Sequence, residues 1–353
     1  MVYREDLGVT DRHRQIINAI IEKAEALCPD SLALIGVYGS CATGDTHEKS
    51  DLDLLILIND EGGRCLADGF ILDDQGVGYD LYCTAWDMLE RDAECAHPHL
   101  GKLMDAQIVF VKDPAAPERL ESLRKRAAGV LSSDARFEKA FAALERAKGE
   151  LANAYLEESL SRVRLHAAAT IHCLLEAVML YHGRYFRRGV KRTFEEISAL
   201  SLPFGMEGMV LDVIRGESAA DIRVSLTSLA RRVREHMATP HPRVMPSAEN
   251  LTGTYEEMLS NWRNKMDEAA ERGDLFSSFM NIASLQFMLD DISAEVDMPR
   301  RDAMEGFDPR ELQRNAEAFD GVLTEYLDEY RRVGIEPRRF ADTQAFLKDY
   351  LPR

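Results

Sequence analysis

Two runs, Leu32–Tyr38 and Leu52–Ile58, are apolar at nearly every position and are joined by a polar, glycine-containing stretch from Gly39 to Ser50. Strands with one wet face alternate apolar and polar residues, whereas strands covered on both faces read as continuous apolar runs. The chain therefore has to build a sheet with these two segments inside it. Further strands are expected at Gly78–Thr84 and Gln107–Val111, the last stopped by Lys112-Asp113-Pro114. Asp11 is placed to cap a first helix, in which Ile16, Ile17, Ala19, Ile20 and Ala24 recur at helical spacing. Asn59–Gly63 closes the second strand with turn chemistry, and Trp86–Leu89 opens another helix. Strands interleaved with helices make residues 1–130 a small mixed-sheet domain.

From Ser132 onward the strand signals stop. Helical periodicity runs through Phe137, Phe141 and Leu144, then Leu156, Leu160 and Val163, with Gly149 and the Gly183–Gly189 region as expected interruptions. Residues 131–246 are expected to form an all-helical bundle. Three prolines within Thr239–Pro246 restrict the backbone and mark a hinge. Amphipathic segments at Tyr255–Ala270, Leu275–Ile292, Pro309–Val333 and Thr343–Leu351 make residues 247–353 a C-terminal helical region. The expected fold class is α+β, a small mixed-sheet domain followed by a helical bundle.

The net charge of −18 limits the partners. Such a chain repels a nucleic-acid backbone unless its bases gather in one patch, and it attracts cationic small molecules. The six cysteines form no CxxC pair and no zinc-finger spacing, which fits a reducing compartment and no structural zinc. No apolar run approaches bilayer length, and Met1–Asp6 carries no apolar leader. A cytoplasmic protein without membrane association is expected.

The chemistry is concentrated in Gly36–Gly44 and Lys49–Ile56. A strand ends at Gly39, which permits close approach of a ligand to the backbone, and Ser40 adds a small hydroxyl beside it. Amide groups and the Ser40 hydroxyl at such a turn can be aimed at phosphate oxygens. Eleven residues on, Asp51 and Asp53 are two apart, so on a strand their carboxylates share a face. Two adjacent acids repel unless a cation sits between them. Mg²⁺ suits this arrangement, because it binds through a few carboxylates together with substrate phosphates and water. Asp80, inside the expected strand Gly78–Thr84, is disfavoured there without a function, and reaches the same site if that strand neighbours Asp51–Ile58. Asp73, Asp74 and Asp105 are weaker candidates, the first two in a turn and the third at a helix end.

Gly39-Ser40, then Asp51-x-Asp53, then a single acid on a following strand resembles the DNA polymerase β-like nucleotidyltransferase superfamily. The resemblance covers about the first 115 residues, including Val109–Pro114, which resembles the strand leaving that family's catalytic core. The helical part resembles, in architecture, the substrate-binding bundles of antibiotic-modifying, aminoglycoside-type members. This likeness implies that an acceptor hydroxyl attacks the α-phosphorus of a nucleoside triphosphate and pyrophosphate leaves. It implies that Asp51 and Asp53 bind two Mg²⁺ ions, that Asp80 binds one of them and serves as base, and that Gly39 and Ser40 hold the nucleotide's phosphates. Members often place the acceptor in a cleft that a dimer partner completes, so a homodimer is one expectation. The reading favoured by charge is transfer of AMP from ATP to a small cationic acceptor. Modification of a protein side chain or of an RNA end, the latter disfavoured by charge, and a non-catalytic nucleotide-binding or antitoxin-like module are its alternatives.

Other signals are less specific. Tyr181–Arg192 is the most basic stretch and offers Lys191 as a point charge for phosphate, or else forms a solvated loop. Glu176, in apolar surroundings, acts on an acceptor hydroxyl or pairs with an arginine. His166 with His172, and His97 with His99, lack zinc-site spacing and are expected to serve packing or capping. Trp262 and the methionines belong to the helical core.

Overall fold

The computed structural model of the protein describes residues 8–46, 50–74, 76–238 and 243–351. Six strands form among them: β1 (Leu32–Val37), β2 (Leu54–Ile58), β3 (Asp68–Leu72), β4 (Val77–Leu81), β5 (Cys83–Ala85) and β6 (Gln107–Val111). The two apolar runs take the centre. A mixed sheet runs β5-β2-β1-β6, with β1 antiparallel to both β2 and β6, and β2 parallel to β5. Every residue of β1 and β2 is buried.

The alternation of side chains explains why no polar residue is tolerated there. Leu54, Ile56 and Ile58 pack with α1 (Asp11–Leu27) and with Val77, Tyr79 and Leu81 of the β3–β4 hairpin. Leu55 and Leu57 point the other way, into a core shared with helices. Those helices are α3 (Trp86–Asp92), α4 (Gly101–Met104), α5 (Ala116–Ser132), α6 (Ala135–Leu156), α7 (Leu160–Tyr181), α8 (Thr193–Ser198), α9 (Met206–Arg215) and α10 (Ala219–Met237), whereas α2 (Gly39–Thr43) buries Cys41 in the core on the first side. With helix at 63% and strand at 9%, the fold is α+β.

Several local expectations are corrected. Thr10, not Asp11, caps α1: its hydroxyl accepts the His13 amide at 3.3 Å and its own amide donates to His13 Nδ1 at 3.4 Å. The expected strand Gly78–Thr84 is split at Tyr82 into β4, which pairs with β3, and β5, which pairs with β2. Gly149 interrupts nothing, because α6 runs through it to Leu156, and flanking helix formers absorb its cost of about 1 kcal/mol. Helix α7 is long and apolar enough to cross a membrane, with a mean hydropathy of 1.4 over its most apolar stretch, although no such run was expected. It packs against α6, α9 and α10, and a helix enclosed in this way is apolar around most of its circumference.

Close contacts divide the chain into two compact units, Met1–Ala238 and Thr239–Arg353. Thr239–Pro242, half of the proline-rich segment, lie outside the described residues. The second unit contains α11 (Ala248–Leu251), α12 (Thr254–Met258), α13 (Asn264–Arg272), α14 (Leu275–Glu295), α15 (Leu312–Arg332) and α16 (Thr343–Tyr350). Its own core gathers Leu251, Tyr255, Phe319, Tyr326 and Tyr330, with Trp262 packed at the edge.

Candidate active site

The ladder between β1 and β2 continues past their ends, because the Tyr38 amide donates to the Asp53 carbonyl at 3.1 Å. That bond fixes Asp53 opposite the point where the chain leaves the sheet. Gly39 then turns with φ +64°, and a Cβ at that position would collide with the Asp53 carboxylate. Glycine is required for both its backbone angle and its missing side chain. The Ser40 amide hydrogen-bonds the Asp53 carboxylate, while Ser40 Oγ is buried without a hydrogen-bond partner among the described residues.

Asp51 and Asp53 flank the buried Leu52 and line one cavity of about 870 Å³, together with Tyr38, Gly39 and Ser40. Burial, and then the charge of Asp51, push the Asp53 carboxyl up to about 6. No ion pair to either acid occurs among the described residues. Among the described residues the pair therefore has no cation bound to it, and the Ser40 hydroxyl beside it has no hydrogen-bond partner. A divalent cation together with an anionic ligand supplies what both lack.

Asp80 is exposed on β4, and that strand does not pair with β2. The expected route for Asp80 into the site, through a strand beside β2, is therefore not formed, and Asp80 is not among the described residues that line the cavity. Gly78, on the same face of β4, lines the cavity. Burial first, and then the charges of Asp53, Asp51, Asp80 and Asp92, hold the Tyr38 phenol up to about 12. Asp74 instead pairs with Arg12, and Asp105 accepts from the Tyr185 hydroxyl at 2.9 Å and pairs with Arg187.

Cations face the acids across the cavity. Arg187, Arg188 and Lys191, from the loop after α7, all line it. Their loop is tied to the turn after α2: Lys191 Nζ donates to the Asp45 carbonyl at 2.8 Å, and Arg192 grips the Asp45 carboxylate with Nη2–Oδ1 at 2.8 Å and Nε–Oδ2 at 3.0 Å. The bonds from Arg192 hold the Asp45 carboxyl down at about 2. Lys191 stands out in the sequence by its basic surroundings. Asp92 and Lys102, which carried no signal, and His97 and His99, expected to serve packing or capping, also line the cavity. Asp92 ends α3, Lys102 lies in α4, and the two histidines come from the turn between these helices, where a His-Pro-His triplet was the visible signal.

Residues 16–97 match the family model described as a nucleotidyltransferase domain. Among solved structures, a nucleotidyltransferase-like protein from Exiguobacterium sibiricum is similar, at 15% identity and a TM-score of 0.31, with 79% of this chain and 91% of that chain covered. No curated protein shows a significant match to the chain.

Proposed function

From the nucleotidyltransferase domain at residues 16–97, we propose that this protein transfers a nucleoside monophosphate, AMP from ATP, to a hydroxyl of a small cationic acceptor. Nucleotidyl transfer in general is what such a domain supports; the nucleotide, metal and acceptor are our reading. The observation that carries it is the pair Asp51 and Asp53, held without a cationic partner among the described residues beside the orphan hydroxyl of Ser40.

In this reading Asp51, Asp53 and Asp80 hold Mg²⁺, which neutralises phosphate charge when bound. Gly39 lets the backbone approach the triphosphate, and Ser40 Oγ donates to a phosphate oxygen. Arg187, Arg188 and Lys191 take the charge of the leaving pyrophosphate. The acceptor oxygen forms its bond to the α-phosphorus as the α–β bridging bond breaks. The bridging electrons leave with pyrophosphate, and the hydroxyl proton passes to Asp80. The cationic acceptor follows from the net charge of −18 and from Asp92 on the cavity wall. A cytoplasmic setting supplies both the triphosphate and the metal.

The test is incubation of the protein with each nucleoside triphosphate, Mg²⁺ and a panel of amino-sugar and other hydroxyl acceptors, read by mass spectrometry and pyrophosphate release. Product should form with ATP and be lost in Asp51→Asn and Asp53→Asn. Release of no pyrophosphate with any aminoglycoside-like acceptor would remove the small-acceptor reading. A one-nucleotide mass gain on a protein in lysate would replace it.

A further inference from the structure

We propose that His99, His172 and Glu176 form a second divalent-metal site, of the imidazole–carboxylate kind that takes Zn²⁺, beside the nucleotide cavity and separate from the aspartates. Their three ligand atoms lie within 4.8 Å of one another. His99 Nε2 and His172 Nε2 stand 3.1 and 3.3 Å from the same oxygen, Glu176 Oε1. A tetrahedral Zn²⁺ with bonds of 2.0–2.2 Å has donor atoms about 3.3 Å apart, so these separations are edges of such a shell.

The ligands are held from outside. His172 and Glu176 are one turn apart on α7 and share a face of a continuous helix. Glu176 is buried, and its other oxygen accepts from Arg146 Nη2 at 2.7 Å, leaving Oε1 to the two imidazoles. An outer partner of this sort fixes the orientation of a metal-binding carboxylate. The His99 ring packs on Phe186 at 5.3 Å and 21° and lies near-parallel to His172 at 5.1 Å and 4°, so the exposed His172 ring turns for both Nε2 lone pairs to meet at one ion. The backbone bearing it is pinned, since the Phe186 amide donates to the Pro98 carbonyl at 2.8 Å. His99 also lines the large cavity, so the site is reached from there. Two imidazoles and one carboxylate favour Zn²⁺ over Mg²⁺, which prefers oxygen ligands throughout. The two sites therefore select different ions.

The site does not depend on the nucleotidyl-transfer reading, and its test is built to keep the two apart. Full-length protein carrying Asp51→Asn and Asp53→Asn, stripped with EDTA, is titrated with Zn²⁺ by calorimetry in excess Mg²⁺, and with Co²⁺ by visible absorption. One equivalent of Zn²⁺ should bind, and Co²⁺ should give the intense absorption of a tetrahedral nitrogen-containing site. His172→Asn alters an exposed side chain, 59% accessible, and should melt like its parent while binding Zn²⁺ at least about 100-fold more weakly. The proposal is overturned by no binding, by equal binding in His172→Asn, or by the weak Co²⁺ spectrum of an octahedral oxygen site. None of these results bears on pyrophosphate release by the protein with its aspartates intact.

Discussion

Replacing Asp53 with asparagine should stabilise the metal-free protein while abolishing its activity. The carboxyl ordinarily titrates at 3.8 and is held at about 6 in the fold by burial and by Asp51. The folded state thus keeps the proton more tightly than the unfolded chain, so the fold is penalised in full above about pH 6, and the penalty vanishes below about pH 4. At 1.36 kcal/mol per pH unit between the two values, the penalty near pH 8 is about 3 kcal/mol. Asparagine keeps an acceptor for the Ser40 amide and carries no charge. In EDTA at pH 8, Asp53→Asn should raise the melting temperature of the unit Met1–Ala238 by roughly 6–12 °C, with no difference below about pH 4. Trp86 lies in that unit and Trp262 in the other, so Trp86 fluorescence in a Trp262→Phe background reports the correct transition. Mg²⁺ should then stabilise the wild type and leave the variant almost unmoved. A variant no more stable than wild type in EDTA at pH 8, or a difference that does not shrink on acidification, would refute the reasoning.

Other outcomes follow from the same geometry. Gly39→Ala should cost about 1–3 kcal/mol from its positive φ alone, more with the collision against Asp53, and should remove activity; urea denaturation and pyrophosphate release measure the two effects. Ser40→Ala should leave stability within about 0.5 kcal/mol, since its hydroxyl has no partner among the described residues, yet raise KM for the triphosphate tenfold to a hundredfold, the worth of about 1.5–3 kcal/mol for a hydrogen bond to a charged group. Lys191→Ala should raise that KM as well and flatten its dependence on ionic strength, as loss of a point charge requires. Asp45→Asn should speed amide hydrogen exchange across residues 187–192, and in the wild type the same loosening should appear only as the pH falls toward about 2.

The parts of the fold that were legible in the sequence are those in which one physical demand acts alone. β1 and β2 had to be apolar because the sheet is covered on both faces, so their composition announced them. The hairpin strand β3 was not read, because Asp68, Gly69 and Ile71 are exposed and its residues obey no burial pattern strong enough to show. Asp80 was legible as an acid out of place, but its strand was taken as continuous, and the break at Tyr82 decides which neighbour it meets. Gly39, Ser40, Asp51 and Asp53 were found because their meeting is local, set by one turn between adjacent strands. His99 and His172 were expected to serve packing or capping, and Glu176 to act on an acceptor hydroxyl or pair with an arginine. Only α7 packing near the turn after α3 brings them together, and no local pattern in the chain encodes that approach.

The clasp of Arg192 and Lys191 on Asp45 bears on how tightly a nucleotide can be held. It joins the turn behind Ser40 to the loop that brings Arg187, Arg188 and Lys191, so on the proposed function the elements meant for anions are ordered before a triphosphate arrives. A free loop bearing three long side chains would lose about 0.5–1.5 kcal/mol of rotamer freedom at each when it closed on the ligand. Here most of that loss has been taken during folding, and more of the contact energy remains as affinity. On the same proposal the fastening has a kinetic side, since pyrophosphate would leave past cations that are not free to swing away.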